Sequence, residues 1–147
     1  MKIVNKKAYR NYSIDDSFEA GIVLTGAEVK SIRSGRCNLS DAYVKFLGND
    51  PWLINADIAQ YTHDGSEDYD SNRSRKLLLK RKEIDILKSK VKQSRFVLIP
   101  LSIYTTRNLI KVQVGLGKGK KEYQKKNIEK DRDVKREMAR IKRKHMV

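Results

Sequence analysis

His63, His145 and Cys37 are the side chains best fitted to acid–base or nucleophilic work, and their settings do not favour it. His63 lies in a polar stretch and His145 near the end of the chain. Neither has a nucleophile or a carboxylate at a recognisable spacing, so both read as surface residues. Cys37 follows a predicted helix and reads as a small packing residue. A single cysteine forms no internal disulfide, and with only two histidines it cannot complete a zinc site. Asp15, Asp16 and Glu19 are close enough to suggest a nuclease-type metal cluster, but nothing else in the sequence accompanies them. Gly115-Leu116-Gly117-Lys118-Gly119-Lys120 resembles a phosphate loop only superficially, because the Walker spacing is missing. The expectation is therefore no catalytic residue, no metal and no cofactor. The chemistry left in quantity is cationic.

Lysine and arginine number 33 against 18 acids in 147 residues, a formal net charge of +15. Such an excess is the footprint of a polyanion partner, most often nucleic acid. A membrane surface is the rival, but the longest apolar run, 96–101, is far short of the roughly 20 residues that span a bilayer. The chain turns polar at once after Met1, so no secretory signal is read. With one cysteine, the expected compartment is the cytoplasm. The charge is uneven. Residues 118–147 hold 13 basic and 5 acidic residues, which leaves +7 for the rest. Two parts are expected: a body over 1–117 and a basic C-terminal tail over 118–147, disordered when free. In the tail, Val134, Met138 and Ile141 fall at i, i+4, i+7, a narrow helical stripe that is marginal alone.

The elements that must position these charges are short. Residues 12–24 mix β-branched and aromatic residues and predict a strand with a bend near Gly21. Thr25 followed by Glu28 is a capping box, so a helix starts there, and Gly35 is placed to end it. Residues 42–47 and 52–61 predict a hairpin about the turn cluster Gly48-Asn49-Asp50-Pro51. Residues 62–74 read as an exposed loop. A second helix runs to about Lys92, with Ile84, Leu87 and Val91 as its buried stripe. Residues 96–104 and 109–116 predict two further strands joined through 105–108. Short strands, turns and no βαβ rhythm predict a mainly-β fold: a small antiparallel OB-like β barrel with two to three flanking helices.

Leu24-Thr25-Gly26-Ala27-Glu28-Val29-Lys30-Ser31-Ile32-Arg33 resembles the signature of the bacterial SsrA-binding protein (small protein B) family. Other stretches agree in order and spacing: Asn5-Lys6-Lys7-Ala8 with Tyr12, Phe18-Glu19-Ala20-Gly21, and Ser34-Gly35-Arg36 before Asn38. Arg75-Lys76-Leu77-Leu78-Leu79, the strand with Pro100-Leu101, and Gly117-Lys118-Gly119-Lys120-Lys121 complete the set. The resemblance implies a non-enzymatic, monomeric RNA-binding adaptor. Its partners would be the tRNA-like domain of transfer-messenger RNA, held at the D/T-loop elbow, and a stalled ribosome. On the ribosome it would fill the A site against 16S rRNA and send its tail, as a helix, into the empty mRNA channel. The broader alternative is a general OB-type RNA-binding or ribosome-associated protein.

By the same resemblance Asn5, Glu19, Lys76 and Leu78 belong to the RNA-binding surface; Lys6, Lys7 and Lys80 are read beside them as further phosphate contacts, on their charge. Lys118, Lys120, Lys121, Tyr123, Lys125, Lys130 and Arg132 would be the ribosome-facing tail. The chemistry is compatible. Lysines neutralise phosphates without reading sequence. Asparagine can donate and accept at a base edge or a sugar hydroxyl. Glu19 on a phosphate-binding face is repulsive unless it accepts from a base or orients a basic neighbour. Alternation turns Leu78 and Lys76 away from Leu77 and Leu79, so Leu78 can pack on an unstacked base. Tyr123, between Lys121 and Lys125, can stack on RNA. Trp52 and most tyrosines read as core or rim. The chain departs from the family pattern at Asp70-Ser71, Lys80, Gln124-Lys125-Lys126 and Ile128-Glu129.

Overall fold

The computed structural model describes residues 1–61, 68–93 and 95–120. In chain order the elements are β1 (Lys2–Val4), α1 (Lys6–Asn11), β2 (Tyr12–Ile22), α2 (Gly26–Arg33), β3 (Cys37–Asn38) and β4 (Tyr43–Leu47). They continue as β5 (Asp50–Ile54), β6 (Asp57–Ile58), β7 (Arg75–Leu78), α3 (Arg81–Val91), β8 (Phe96–Thr106) and β9 (Leu109–Gly119). Seven strands form one antiparallel sheet in the order β1-β8-β4-β5-β7-β2-β9, and β9 returns to pair with β8. Six of them therefore make a ring. Its seam between β4 and β8 is held by one pairing, Val44 with Leu98, so the ring is not closed as a continuous barrel. The interior is filled by Ile32, Leu53, Leu77, Leu87, Ile103, Val112 and Val114, among others. Among the described residues no helix is long and apolar enough to cross a membrane.

Turn chemistry sets the strand ends. Arg107 and Asn108 take φ of 50° and 66°, the paired left-handed geometry that suits a two-residue hairpin to strand twist. The expected turn over 105–108 is thus only 107–108, because Thr105 and Thr106 stay in the ladder opposite Ile110 and Leu109. The β4–β5 turn also shrinks to Gly48-Asn49, with Gly48 at φ 68° and Asp50 already paired with Leu47. The returning strand stops at Ile54 rather than 61. Asn55 goes to φ 63° and breaks it, and β6 pairs instead with β3.

Two helices match their sequence signals. The Thr25 hydroxyl accepts from Glu28 N at 3.1 Å, and Glu28 accepts from Thr25 N at 3.0 Å. At the other end, Gly35 N reaches Ile32 O and Arg36 N reaches Ser31 O, each at 2.9 Å, closing α2 through Gly35 at φ 79°. α3 buries Leu87 fully. The short α1 was not expected, because its one buried side chain is Ala8 and no apolar stripe announces it.

Gly115 and Gly117 lie where β9 is crossed closely on both sides. The β2–β9 register shifts between Ile14 and Asp16, and the β8–β9 register between Pro100 and Ser102. A Cβ on Gly117 would meet the backbone oxygen of Ser13 at 2.8 Å; one on Gly115 would meet the Leu101 side chain at 2.8 Å. Backbone cannot step aside as a leucine can. Gly117→Ala is expected to cost about 1–3 kcal/mol and Gly115→Ala less, read as midpoint shifts in urea unfolding. Equal effects would show that the close approach to Ser13 is not what requires glycine.

Candidate nucleic-acid interface

The outward face begins at β7. Arg75 and Leu77 point inward, 0% and 1% exposed, and Leu78 points out at 53% with Lys76 half-exposed beside it. The alternation expected of this strand is thus present. Register then builds a row across five strands: Leu78 opposite Gly21, Gly21 opposite Lys111, Lys111 opposite Tyr104, and Tyr104 opposite Lys2. Gly21 leaves room for the Leu78 side chain, whose Cβ lies 3.4 Å from where a glycine Cβ would be. A second row on the same sheet runs Lys45, Trp52, Lys76. Lys76 also stands 3.8 Å from Asp50, a solvent-exposed pairing of small energy.

Glu19 lies two residues along from Gly21 on the same face, opposite Gln113. The Tyr104 hydroxyl donates to the Glu19 carboxylate and lies 3.2 Å from Gln113 Oε1, and Gln113 Nε2 donates to Ser17 Oγ at 2.7 Å. Burial, then the hydrogen bond and charge of Glu19, push the Tyr104 phenol up to about 12. It therefore remains a donor through the physiological range and holds Glu19 in place. The result is an exposed carboxylate of fixed orientation on the sheet face that also carries Leu78, Lys111 and Lys76. The chemistry of such a surface suits a phosphate, an unstacked base and a base amino group.

The other expected residues sit elsewhere. Asn5 is not on the surface: it is 4% exposed, and its Nδ2 donates to Leu39 O at 3.1 Å and Pro100 O at 2.8 Å. Its Oδ1 caps α1 at Ala8 N. These protein contacts occupy the amide, so in this structure Asn5 positions α1 and presents no free group to a ligand. Lys6 and Lys7 are exposed on α1. They are separated from Glu19 by β2, whose seven steps from Tyr12 reach about 23 Å. Lys7 pairs with Asp41 at 3.2 Å. Lys80 is exposed at the start of α3, just past Leu78. Lys118 and Lys120 are tied to the body, although the sequence reading grouped them with the tail. Lys118 pairs with Ser13 in the sheet and stands 4.8 Å from the Phe96 ring, and Lys120 N donates to Asn11 O at 2.9 Å. Lys121, Tyr123, Lys125, Lys130 and Arg132 lie outside the described residues, as do His63 and His145. Sequence reasoning missed Lys111, Tyr104 and Gln113. Alternation in β9 marked Lys111 and Gln113 as outward, but only cross-strand register puts them beside Glu19.

A cavity of about 680 Å³ occupies the β4–β8 seam, walled by Ala8, Tyr12, Val44, Phe46 and Leu98 with Lys7 and Lys45 at its edge. Cys37 is half-buried, and burial pushes its thiol up to about 11, which keeps it protonated and unreactive. Among the described residues no three His, Cys, Asp or Glu side chains are grouped to hold a metal.

Comparisons with known proteins agree with one another. Residues 2–144 match the family described as SmpB protein. A relative named SsrA-binding protein from Dehalococcoides mccartyi (strain CBDB1) is 47% identical over 136 residues, 92% of this chain and 79% of the relative. Another of that name, from Bacillus cereus (strain G9842), is 44% identical over 137 residues, 93% of this chain and 88% of the relative. A solved chain described as "tmRNA-SmpB: a journey to the center of the bacterial ribosome" superposes with a TM-score of 0.70. It is 37% identical, and the match covers 98% of each chain. With its family model matched almost end to end and its fold shared, this chain belongs to the SmpB protein family.

Proposed function

We propose that this protein binds the tRNA-like domain of SsrA (transfer-messenger) RNA and carries it to stalled ribosomes, acting in the cytoplasm as an adaptor without catalysis of its own. The observation that supports this most is the row Leu78–Gly21–Lys111–Tyr104, flanked by the oriented carboxylate of Glu19 and by Lys76. A flat phosphate-binding face would need lysines alone. The leucine and the fixed acid add features suited to the irregular elbow of a tRNA-like fold, where bases and sugar hydroxyls are exposed. The basic segment beyond Lys120 then serves the ribosome, entering the mRNA channel against 16S rRNA while the body fills the A site.

A titration at several salt concentrations tests the reading. It compares the tRNA-like domain with an unrelated stem-loop of equal length. Tighter binding to the first, persisting as salt rises, is the expected result. Equal affinities that collapse together with salt would leave only the net charge of +15 as an explanation, the behaviour of a general RNA-binding protein.

A further inference from the structure

β7 is a short strand with a thin hold on the sheet. Arg75 and Lys76 pair with Leu53 and Trp52 of β5; Leu77 and Leu78 pair with Ile22 and Gly21 of β2. Each residue thus has one ladder partner, and Lys76 O accepts one further backbone bond, from Val23 N at 2.9 Å. A slip of one residue would turn Lys76 and Leu78 inward and bring Arg75 and Leu77 to the surface. Something beyond the ladder must fix the register.

That hold is a buried ionic cluster. Arg75 is 0% exposed, and each nitrogen of its guanidinium donates to a partner. Its Nε and Nη2 donate to Glu28 Oε2 at 3.0 and 2.6 Å. Its Nη1 donates to Ala56 O at 2.7 Å, and its Nη2 also lies 3.1 Å from both Ser71 O and the Tyr69 hydroxyl. Glu28 is held in turn by α2 through Thr25 N at 3.0 Å. It receives Arg73 at both carboxylate oxygens and lies 3.2 Å from the Tyr69 hydroxyl. The Tyr69 hydroxyl is also 2.7 Å from Ile58 O. The cluster therefore ties β7 to α2, to β6 and to the segment before β7. A guanidinium bonded to four groups, Glu28, Ala56, Tyr69 and Ser71, cannot move by one residue without leaving a buried charge unpaired.

We propose that the Glu28–Arg75 pair, supported by Arg73 and Tyr69, is the positioning device of the RNA-binding face, fixing the register of β7 that turns Lys76 and Leu78 outward. The proposal rests on that face being the RNA site. Glu28 therefore has two duties: helix cap, as its sequence position indicates, and anchor of a strand 47 residues away.

The test is a double-mutant cycle with a ligand-free readout of register. Affinity for the tRNA-like domain is measured for Glu28→Gln, for Leu78→Ala and for the double variant, at a temperature where circular dichroism shows all to be folded. About a tenfold loss is expected for Glu28→Gln, and the double variant should bind little worse than either single. Losses that multiply would mean that Glu28 does not act through Leu78 and would overturn the proposal. Wild-type affinity in folded Glu28→Gln would do the same. Arg75→Lys, which keeps the charge, should fall between wild type and Glu28→Gln, and it serves if Glu28→Gln does not fold. Without RNA, Trp52 is the sole tryptophan and sits directly opposite Lys76. Its NMR cross-strand contact with Lys76 should be lost or shifted in Glu28→Gln. An unchanged contact overturns the positioning role. If wild-type protein ignores the RNA, the functional reading fails, and the Trp52 contact still decides the register.

Discussion

Arg75→Met is expected to lower the stability of the fold by about 3–5 kcal/mol at pH 7, measured by urea unfolding. The substitution keeps most of the buried volume and removes the charge. Glu28 is then left with Arg73, which is partly open to solvent, and the carbonyls of Ala56 and Ser71 lose their donor. Against a typical total of about 5–15 kcal/mol, that loss brings the protein near unfolding at 37 °C. A cost under about 1 kcal/mol would mean that the pair is dispensable. The same cluster sets a pH dependence. Burial alone would raise the Glu28 carboxyl. The hydrogen bonds from Arg73, from Thr25 N and from Arg75, with the charge of Arg75, outweigh burial and lower it from 4.5 to about 2. A depressed carboxyl stabilises the fold fully above its unfolded value and loses that contribution as pH falls through the folded one. Wild-type stability should therefore decline between about pH 5 and pH 2, by on the order of 3 kcal/mol from this group. Glu28→Gln should be less stable at pH 7 and flatter over that window.

This cluster also marks where the sequence stopped being legible. The capping box at Thr25 and Glu28 could be read because its partners are three residues apart. The anchoring of β7 could not, because Glu28 and Arg75 are 47 residues apart and each has a local reading of its own. The same division runs through the molecule. Alternation along 75–79 told which side chains face out, since period 2 is a property of one strand. That Lys111 and Tyr104 lie beside Gly21 is a property of register among three strands, which local pattern does not carry. Asn5 shows the converse. Its ability to donate and accept together was visible, and the fold spends that ability on Leu39, Pro100 and Ala8. The resemblance to a family supplied Glu19, which composition alone would have left as a surface acid. The Tyr104 phenol that orients it had no sequence signal at all.

Glu19→Ala combined with Leu78→Ala is expected to weaken binding to the tRNA-like domain about 100-fold. Covering a leucine side chain fully stabilises a contact by about 1.5–3 kcal/mol, and a good polar contact to a base edge by about 1–3. Leu78 is half-exposed in the free protein, and Glu19 also loses part of its gain to the Tyr104 bond it already holds. The lower end of each range is the sounder expectation, and the two together give roughly two orders of magnitude. The salt dependence separates this from a charge effect. Neither residue is cationic, so the slope of log affinity against log salt should stay at its wild-type value while the line moves down. Lys76→Ala and Lys111→Ala should each reduce that slope by about 1 if each neutralises one phosphate. Unchanged affinity in the Glu19/Leu78 double variant would remove the face around β7 and β2 as the RNA site, whatever the lysines did. A reduced slope in that double variant would point to rearranged lysines rather than lost shape recognition. The face can be both specific and basic only because its lysines lie beside a leucine and a tethered acid. These substitutions divide the two contributions.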